Sequence, residues 1–281
     1  MIKLFFADLD GTFLYIPNSD SAGVTKENLE SLEILKQNNI RLMLATGRHH
    51  TFLPRVLGDT SLRFDTIGFC GAEVYLDGEV FFSMDFTPEE VLKLVNHFSL
   101  YDYDATIHFT TLDNDWIHYD VTSPLFERAK NFQSNGIPAD RRSLLDIGIR
   151  DYLKEERDSP IIRLSFWFSN IDDNLSYLAL LNEAFPNQYT IVRSSPRELQ
   201  IMKNNMNKGK GIQMIANHLN IPLDEIAVIG DSENDLGMFE LIHYSFCMSH
   251  ADKKLQAKAK YSVDSFAEAV EILVANKDKE N

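Results

Sequence analysis

The chain has 281 residues, enough for one large or two medium domains with a sizeable buried core. Its 44% hydrophobic and 25% charged content is that of a soluble globular protein, and a net charge of −15 argues against a nucleic-acid surface, which needs clustered Lys and Arg. Cys70 and Cys247, far apart, suggest neither a disulfide framework nor a thiolate metal site. The start of the chain is not read as a signal peptide, since Asp8 and Asp10 interrupt its apolar run. No stretch approaches the ~20 apolar residues of a membrane helix, so a reducing cytoplasm is the expected location.

In chain order, Ile2–Ala7 reads as a buried strand. Thr25 is the expected N-cap of a helix carrying Leu29, Leu32 and Leu35. Ile40–Ala45 and Thr66–Cys70 are the next strands, and short apolar strands alternating with helices predict a parallel sheet with helices on its faces. Thr87-Pro88-Glu89-Glu90 is a capping-box sequence opening a helix with Val91, Leu92, Val95 and Phe98 inward. Two alternating strands, Ala105–Thr111 and Asp115–Val121, are expected to join as a hairpin through Leu112-Asp113-Asn114. A polar stretch follows, then strand Ile161–Phe168, a helix near Leu175–Phe185, and strands near Tyr189–Arg193 and Glu198–Met202. The parallel-sheet pattern returns with an amphipathic helix through Ile212, Ile215, Ala216 and Leu219, strand Ile226–Ile229, and a closing helix marked by Phe266, Val270 and Leu273. The expected organisation is therefore an α/β domain over residues 1–82 and 196–281, with an α+β module inserted at residues 83–195.

Candidate chemistry stands at the ends of the α/β elements, and ligands of open parallel sheets bind outside the carboxyl ends of the strands. Asp8 and Asp10 follow the first strand, and a two-residue strand period puts both on one side before Gly11 turns the chain. Thr46-Gly47-Arg48 follows the second strand. Asn207-Lys208-Gly209 opens the late helix, and Gly230-Asp231-Ser232-Glu233-Asn234-Asp235 follows the late strand. Carboxylates at 8, 10 and 231 suit a hard divalent cation. Thr46, Lys208, Asn234 and nearby amides suit a tetrahedral dianion. One carboxylate can act as a nucleophile and another as acid and base.

These motifs together, DLDGT at Asp8–Thr12, ATGR at Ala45–Arg48, NKG at Lys208 and GDSEND at Gly230–Asp235, resemble the haloacid dehalogenase (HAD) superfamily, in its Cof-type branch with a class IIB cap. The resemblance implies a Rossmann-like parallel-sheet core with an inserted α+β cap, and a Mg²⁺-dependent phosphatase acting on small phosphorylated metabolites through an aspartyl-phosphate. It implies Asp8 as nucleophile and metal ligand, and Asp10 as acid/base with its carbonyl on the metal. Asp231 would be the further ligand, with Asp235 supporting it. Thr46 and Lys208 would hold the phosphoryl group, helped by Asn234 and the main chain at Leu9, Asp10 and Gly47. Two positions depart from the family pattern: Cys70 precedes Gly71-Ala72, and His250 precedes Ala251, where relatives often carry Asn.

Arg48 suits a structural salt bridge at least as well as phosphate binding. His49 and His50 are not read as a metal pair, since adjacent residues on a helix point different ways. In the inserted module, alternation groups His108 with Trp116, His118, Arg163 and Trp167 as a polar sheet face, expected to cover the active site and select the leaving group; a solvated face or dimer contact is the competing reading. A phosphotransferase or mutase, or a non-catalytic phosphometabolite-binding regulator, are the competing functions. No nucleic-acid or membrane partner is expected, and the oligomeric state is left open.

Overall fold

A computed structural model describes residues 1–15, 23–57, 62–112, 114–119, 149–155, 159–203 and 206–277; of residues 55, 114–119, 194, 276 and 277 only the backbone is described. In chain order the main elements are β1 Leu4–Ala7, α1 Lys26–Gln37, β2 Arg41–Ala45, β3 Thr66–Gly68, β4 Glu73–Leu76, β5 Glu79–Ser83, α2 Pro88–Phe98, β6 Ala105–Thr111, β7 Asn114–Tyr119, β8 Ile161–Phe168, α3 Ile171–Ala184, β9 Tyr189–Ser195, β10 Glu198–Lys203, α4 Lys208–Leu219, β11 Ile226–Gly230, α5 Leu236–Leu241, β12 Tyr244–Met248, β13 Tyr261–Val263 and α6 Phe266–Lys277. They form two compact units, residues 1–82 with 206–281, and residues 83–205.

The first unit is built on an eight-stranded sheet ordered β13-β12-β11-β1-β2-β3-β4-β5. Its strands from β13 to β3 run parallel, and β4 turns back against β3. The run Leu4-Phe5-Phe6-Ala7 is continuously apolar because both faces of β1 are covered. Phe5 and Ala7 pack with Phe13, Leu35, Phe266 and Val270 on one side. Leu4 and Phe6 pack with Ile212, Ile215 and Met238 on the other. α1 begins as expected, Thr25 accepting from the Asn28 amide, and Leu35 with the partly buried Leu32 packs on the core beside Asn28 and Ser31. Leu29 is exposed, because Asn28 must reach inward to donate to the Phe13 carbonyl at 2.7 Å.

The second unit is an antiparallel sheet ordered β7-β6-β8-β10-β9 with α2 and α3 over one face. The Thr87 capping box forms as read, but Leu94 takes the core position expected of Leu92: Val91, Leu94, Val95 and Phe98 follow the i, i+3, i+4, i+7 rule. Tyr177 of α3 is fully buried and its ring meets Phe98 edge-on at 5.1 Å. β10 lies between β8 and β9, so the unit extends to residue 205, ten residues beyond the expected boundary at 195. Hairpin pairing with β9 and the ladder with β8 hold β10 there.

The β6–β7 register also departs from expectation. Thr111 pairs with Asn114, and the ladder runs on with Phe109 opposite His118 and His108 opposite Tyr119. The connection is one residue shorter than read, and a one-residue change in register swaps the faces of a strand. The grouping of Trp116 and His118 with His108 is not the one this register makes; the side chains of Trp116 and His118 lie outside the described residues. Thr106, His108 and Thr110 of β6 are buried. The His108 ring stacks on Trp167 at 5.5 Å, and Arg163 donates to Thr110 at 3.0 Å. Burial, and then the Arg163 charge, pushes His108 down to about 3, so it is neutral at ordinary pH.

Candidate active site

β1 lies between β11 and β2, so the residues that follow these three strands stand side by side at one sheet edge. Asp8 takes over where β1 stops, its amide donating to the Ile229 carbonyl at 2.9 Å. The chain then winds into a wide turn, in which Phe13 donates back to Asp8 and Leu14 to Leu9 at 3.1 and 2.9 Å. Gly11 makes the turn possible at φ +77°, and a Cβ there would lie 2.3 Å from an Asp231 carboxylate oxygen.

Because the strand ends at Ala7, strand alternation does not bring Asp8 and Asp10 together. Asp8 is buried, whereas Asp10 is exposed and held by the Arg48 guanidinium fork, Nε to Oδ2 at 2.6 Å and Nη2 to Oδ1 at 2.7 Å. Arg48 therefore makes the salt bridge anticipated for it. The carboxyl cluster consists of buried Asp8 and Asp235 with half-buried Asp231, whose oxygens lie within 4.8 Å of one another.

Lys208 threads this cluster. It is the first residue of α4, behind the N-cap Asn207, and its side chain has no solvent exposure. Its Nζ donates to Asp8 Oδ1 at 2.5 Å and to Asp235 Oδ1 at 2.6 Å. α4 can approach this closely because a Cβ on Gly209 would sit 2.1 Å from the Gly237 carbonyl. Burial alone would neutralise Lys208, but Asp8 and Asp235 outweigh it and hold the ammonium above the ordinary lysine value.

Asp235 is fully committed. Besides Lys208 it accepts the Asp231 and Ser232 amides on Oδ2 at 2.9 and 3.0 Å, closing the turn after β11. Asp8 and Asp231 remain, with carboxyl oxygens within 4.8 Å of each other. Burial, with Asp235 and Asp231 adding repulsion against Lys208's pull, pushes Asp8 up to about 8. Burial and then Asp235 raise Asp231, although His250 works the other way. Two neighbouring carboxyls, one buried and one half-buried, with raised affinity for positive charge are a donor set that fits a hard divalent cation.

Thr46 is buried at the end of β2, and its hydroxyl accepts the Arg48 amide at 3.1 Å. Gly47 beside it faces Cys70, an ideal Cβ lying 3.6 Å from the sulfur. Leu9 begins the Asp8 turn with its side chain in the core, and Asn234 accepts the Ser232 hydroxyl at 3.0 Å. The structure thus gathers the expected residues of β1, β2, α4 and β11 into one unit. His108, Arg163 and Trp167 belong to the other unit.

Three participants were not legible as such. Thr12 donates to Asp231 at 3.3 Å, His250 reaches the same carboxylate at 3.4 Å, and Tyr15 stacks on His250 at 4.2 Å. The His250 departure from the family pattern was the available signal. Cys70, held at φ +54° with its thiol raised by burial, lies close enough to Lys208 to sense its charge. His49 and His50 do converge, contrary to the sequence reading, and both meet Glu73. His49 has extended backbone and only caps the short helix His50–Phe52, so helical divergence does not apply to the pair.

Comparison with known proteins identifies relatives and shared folds. The HMP-PP phosphatase of Escherichia fergusonii is 27% identical over 261 residues, spanning 92% of this chain and 88% of that protein. TM0651 of Thermotoga maritima has the same fold, with a TM-score of 0.80 at 21% identity over 97% of each chain. A haloacid dehalogenase-like hydrolase of B. subtilis aligns with a TM-score of 0.74 at 18% identity, over 97% of this chain and 100% of that one. The family model for haloacid dehalogenase-like hydrolases matches residues 5–270, and the chain belongs to that family.

Proposed function

We propose that this hydrolase is a Mg²⁺-dependent phosphatase of small phosphorylated metabolites, working through an aspartyl-phosphate on Asp8. The observation that carries this reading is the buried Lys208 bridge between Asp8 and Asp235 beside Asp231. It pairs a carboxylate nucleophile with a fixed cation and leaves oxygens for a metal.

Asp8 and Asp231 would hold the Mg²⁺, with the Asp10 carbonyl, while Asp235 holds Lys208 and the β11 turn. When bound, the ion supplies positive charge that ionises Asp8 and offsets the charge of the phosphoryl oxygens. An Asp8 carboxylate oxygen attacks phosphorus, the phosphorus–oxygen bond of the ester breaks, and Asp10 gives its proton to the departing oxygen. Asp10 then takes a proton from water as the water attacks the aspartyl-phosphate, regenerating Asp8 and releasing phosphate. The Arg48 fork keeps Asp10 in one orientation through both steps. Lys208, Thr46, Asn234 and the main chain at Leu9 and Gly47 hold the phosphoryl group, Lys208 stabilising its charge from a side chain with no solvent exposure.

His108, Arg163 and Trp167 are proposed as determinants of the leaving group. If Arg163→Ala and Trp167→Ala leave the ranking of substrates unchanged, that assignment fails. A cytoplasmic location agrees with two free thiols and with the finding that no helix among the described residues is long and apolar enough to cross a membrane.

The test is phosphate release from a panel of esters that includes HMP-PP, the compound in the relative's name, with Mg²⁺ or chelator, for wild type and Asp8→Asn. Release that needs Mg²⁺ and vanishes in Asp8→Asn is expected. No release by folded wild type would overturn the reading in favour of phosphotransfer to an acceptor or a binding role.

A further inference from the structure

We propose that His49, His50 and Glu73 form a second metal site, for a transition-metal dication of the Zn²⁺ class, separate from the oxygen-only cluster at Asp8 and Asp231. The proposal does not rest on the phosphatase reading. Glu73 opens β4 after the turn Phe69–Gly71, and its side chain is wholly buried. Space is reserved for it: a Cβ on Gly68 would lie 2.9 Å from Glu73 Oε2. His49 Nε2 stands 3.5 Å from that oxygen, and His50 Nδ1 contacts Oε1. One donor atom from each residue lies within 4.8 Å of the other two.

Two imidazole nitrogens and a carboxylate form the His₂Glu donor set of zinc sites that keep an open position, and Mg²⁺ disfavours such nitrogen ligands. A tetrahedral ion with bonds of ~2.0–2.2 Å needs ligand atoms ~3.3–3.5 Å apart; His49 Nε2 and Glu73 Oε2 already have that spacing, and His50 Nδ1 must draw back from Oε1 to admit the ion. The outer contacts also suit a metal site. Thr51 Oγ1 lies 2.6 Å from His49 Nδ1 and fixes that ring, while the His50 ring stacks on Tyr75 at 4.4 Å. His50 is the more exposed of the two histidines, and it lines a cavity of about 590 Å³ with Thr51, Arg63, Phe64 and Tyr75. That cavity supplies an entry path and room for a fourth ligand.

Metal-free full-length protein is titrated with Zn²⁺ against a chromophoric chelator, with millimolar Mg²⁺ present to occupy the acidic cluster. Wild type and Asp231→Asn are each expected to bind one equivalent. His50→Gln and Glu73→Gln should weaken binding by at least the roughly 100-fold that even outer-shell changes can reach. Glu73→Gln risks unfolding a buried position, so His50→Gln decides the matter, with circular dichroism as the folding check. Co²⁺ should give the visible bands of a low-coordinate nitrogen-ligated site in Asp231→Asn but not in His50→Gln. Absence of the zinc equivalent in Asp231→Asn, or unchanged affinity in folded His50→Gln, would overturn the proposal and leave a hydrogen-bonded structural cluster.

Discussion

Asp8→Asn should separate chemistry from stability in the metal-free protein. In the folded chain burial carries the Asp8 carboxyl from its ordinary 3.8 up to about 8. Across that window the folded chain keeps a proton that the unfolded chain has released. Stability is therefore fully present below about pH 4 and is lost as pH rises through about 8. At 1.36 kcal/mol per unit, the limit for the whole window is on the order of 6 kcal/mol, with the pull of Lys208 already included. Each 2 kcal/mol of that loss would lower the melting temperature by roughly 4–8 °C. Asparagine has the same shape and no charge to bury. The variant should lack activity, melt several degrees above wild type at pH 8 in chelator, and show a flatter pH dependence. Some slope should persist, because Asp231 is raised in the same direction. Saturating Mg²⁺ should stabilise wild type at pH 8 far more than the variant. Both tryptophans, Trp116 and Trp167, lie in the second unit, so unfolding should be followed by far-ultraviolet circular dichroism rather than tryptophan fluorescence. Metal-free wild type whose stability is flat or rises between pH 4 and 8, or a variant less stable than wild type at pH 8, would refute the reasoning.

Lys208→Met should be inactive and less stable by about 3–5 kcal/mol near pH 8, because it strands Asp8 and Asp235 without their shared cation; chemical denaturation measures this. Gly11→Ala combines a left-handed residue, costing about 1–2 kcal/mol, with crowding against Asp231 that costs about 1–3 kcal/mol. It should also weaken Mg²⁺ binding, as calorimetry would show. Arg48→Ala should leave the melting temperature nearly unchanged, since the Arg48–Asp10 pair is 36% and 48% exposed and such pairs contribute under about 1 kcal/mol. Its kcat should nevertheless fall on the order of 10- to 100-fold, because Asp10 loses the fork that orients it.

Local sequence determined the parallel core and the positions of its chemical groups. Continuous apolar strands that stop at Asp8, Thr46 and Asp231 can be buried on both faces only in a helix-covered parallel sheet, which brings their ends to one edge. The Thr87 capping box and the Asn207 cap are likewise local, each needing only contacts within one turn. Tertiary structure decided what depends on distant residues. Leu32 and Leu35 of α1 face the core as their spacing requires, but Asn28, reaching the Phe13 carbonyl, took the inward place expected of Leu29. The β6–β7 faces followed from one residue of connection length, and β10 joined the second sheet because its pairing partners are there. Asp10 left the carboxyl cluster because the chain beyond Ala7 winds into a turn instead of continuing as strand, and Arg48 took its carboxylate. The meeting of His49 and His50 with Glu73 came from an extended capping residue and a turn between β3 and β4, neither of which has a periodicity to read.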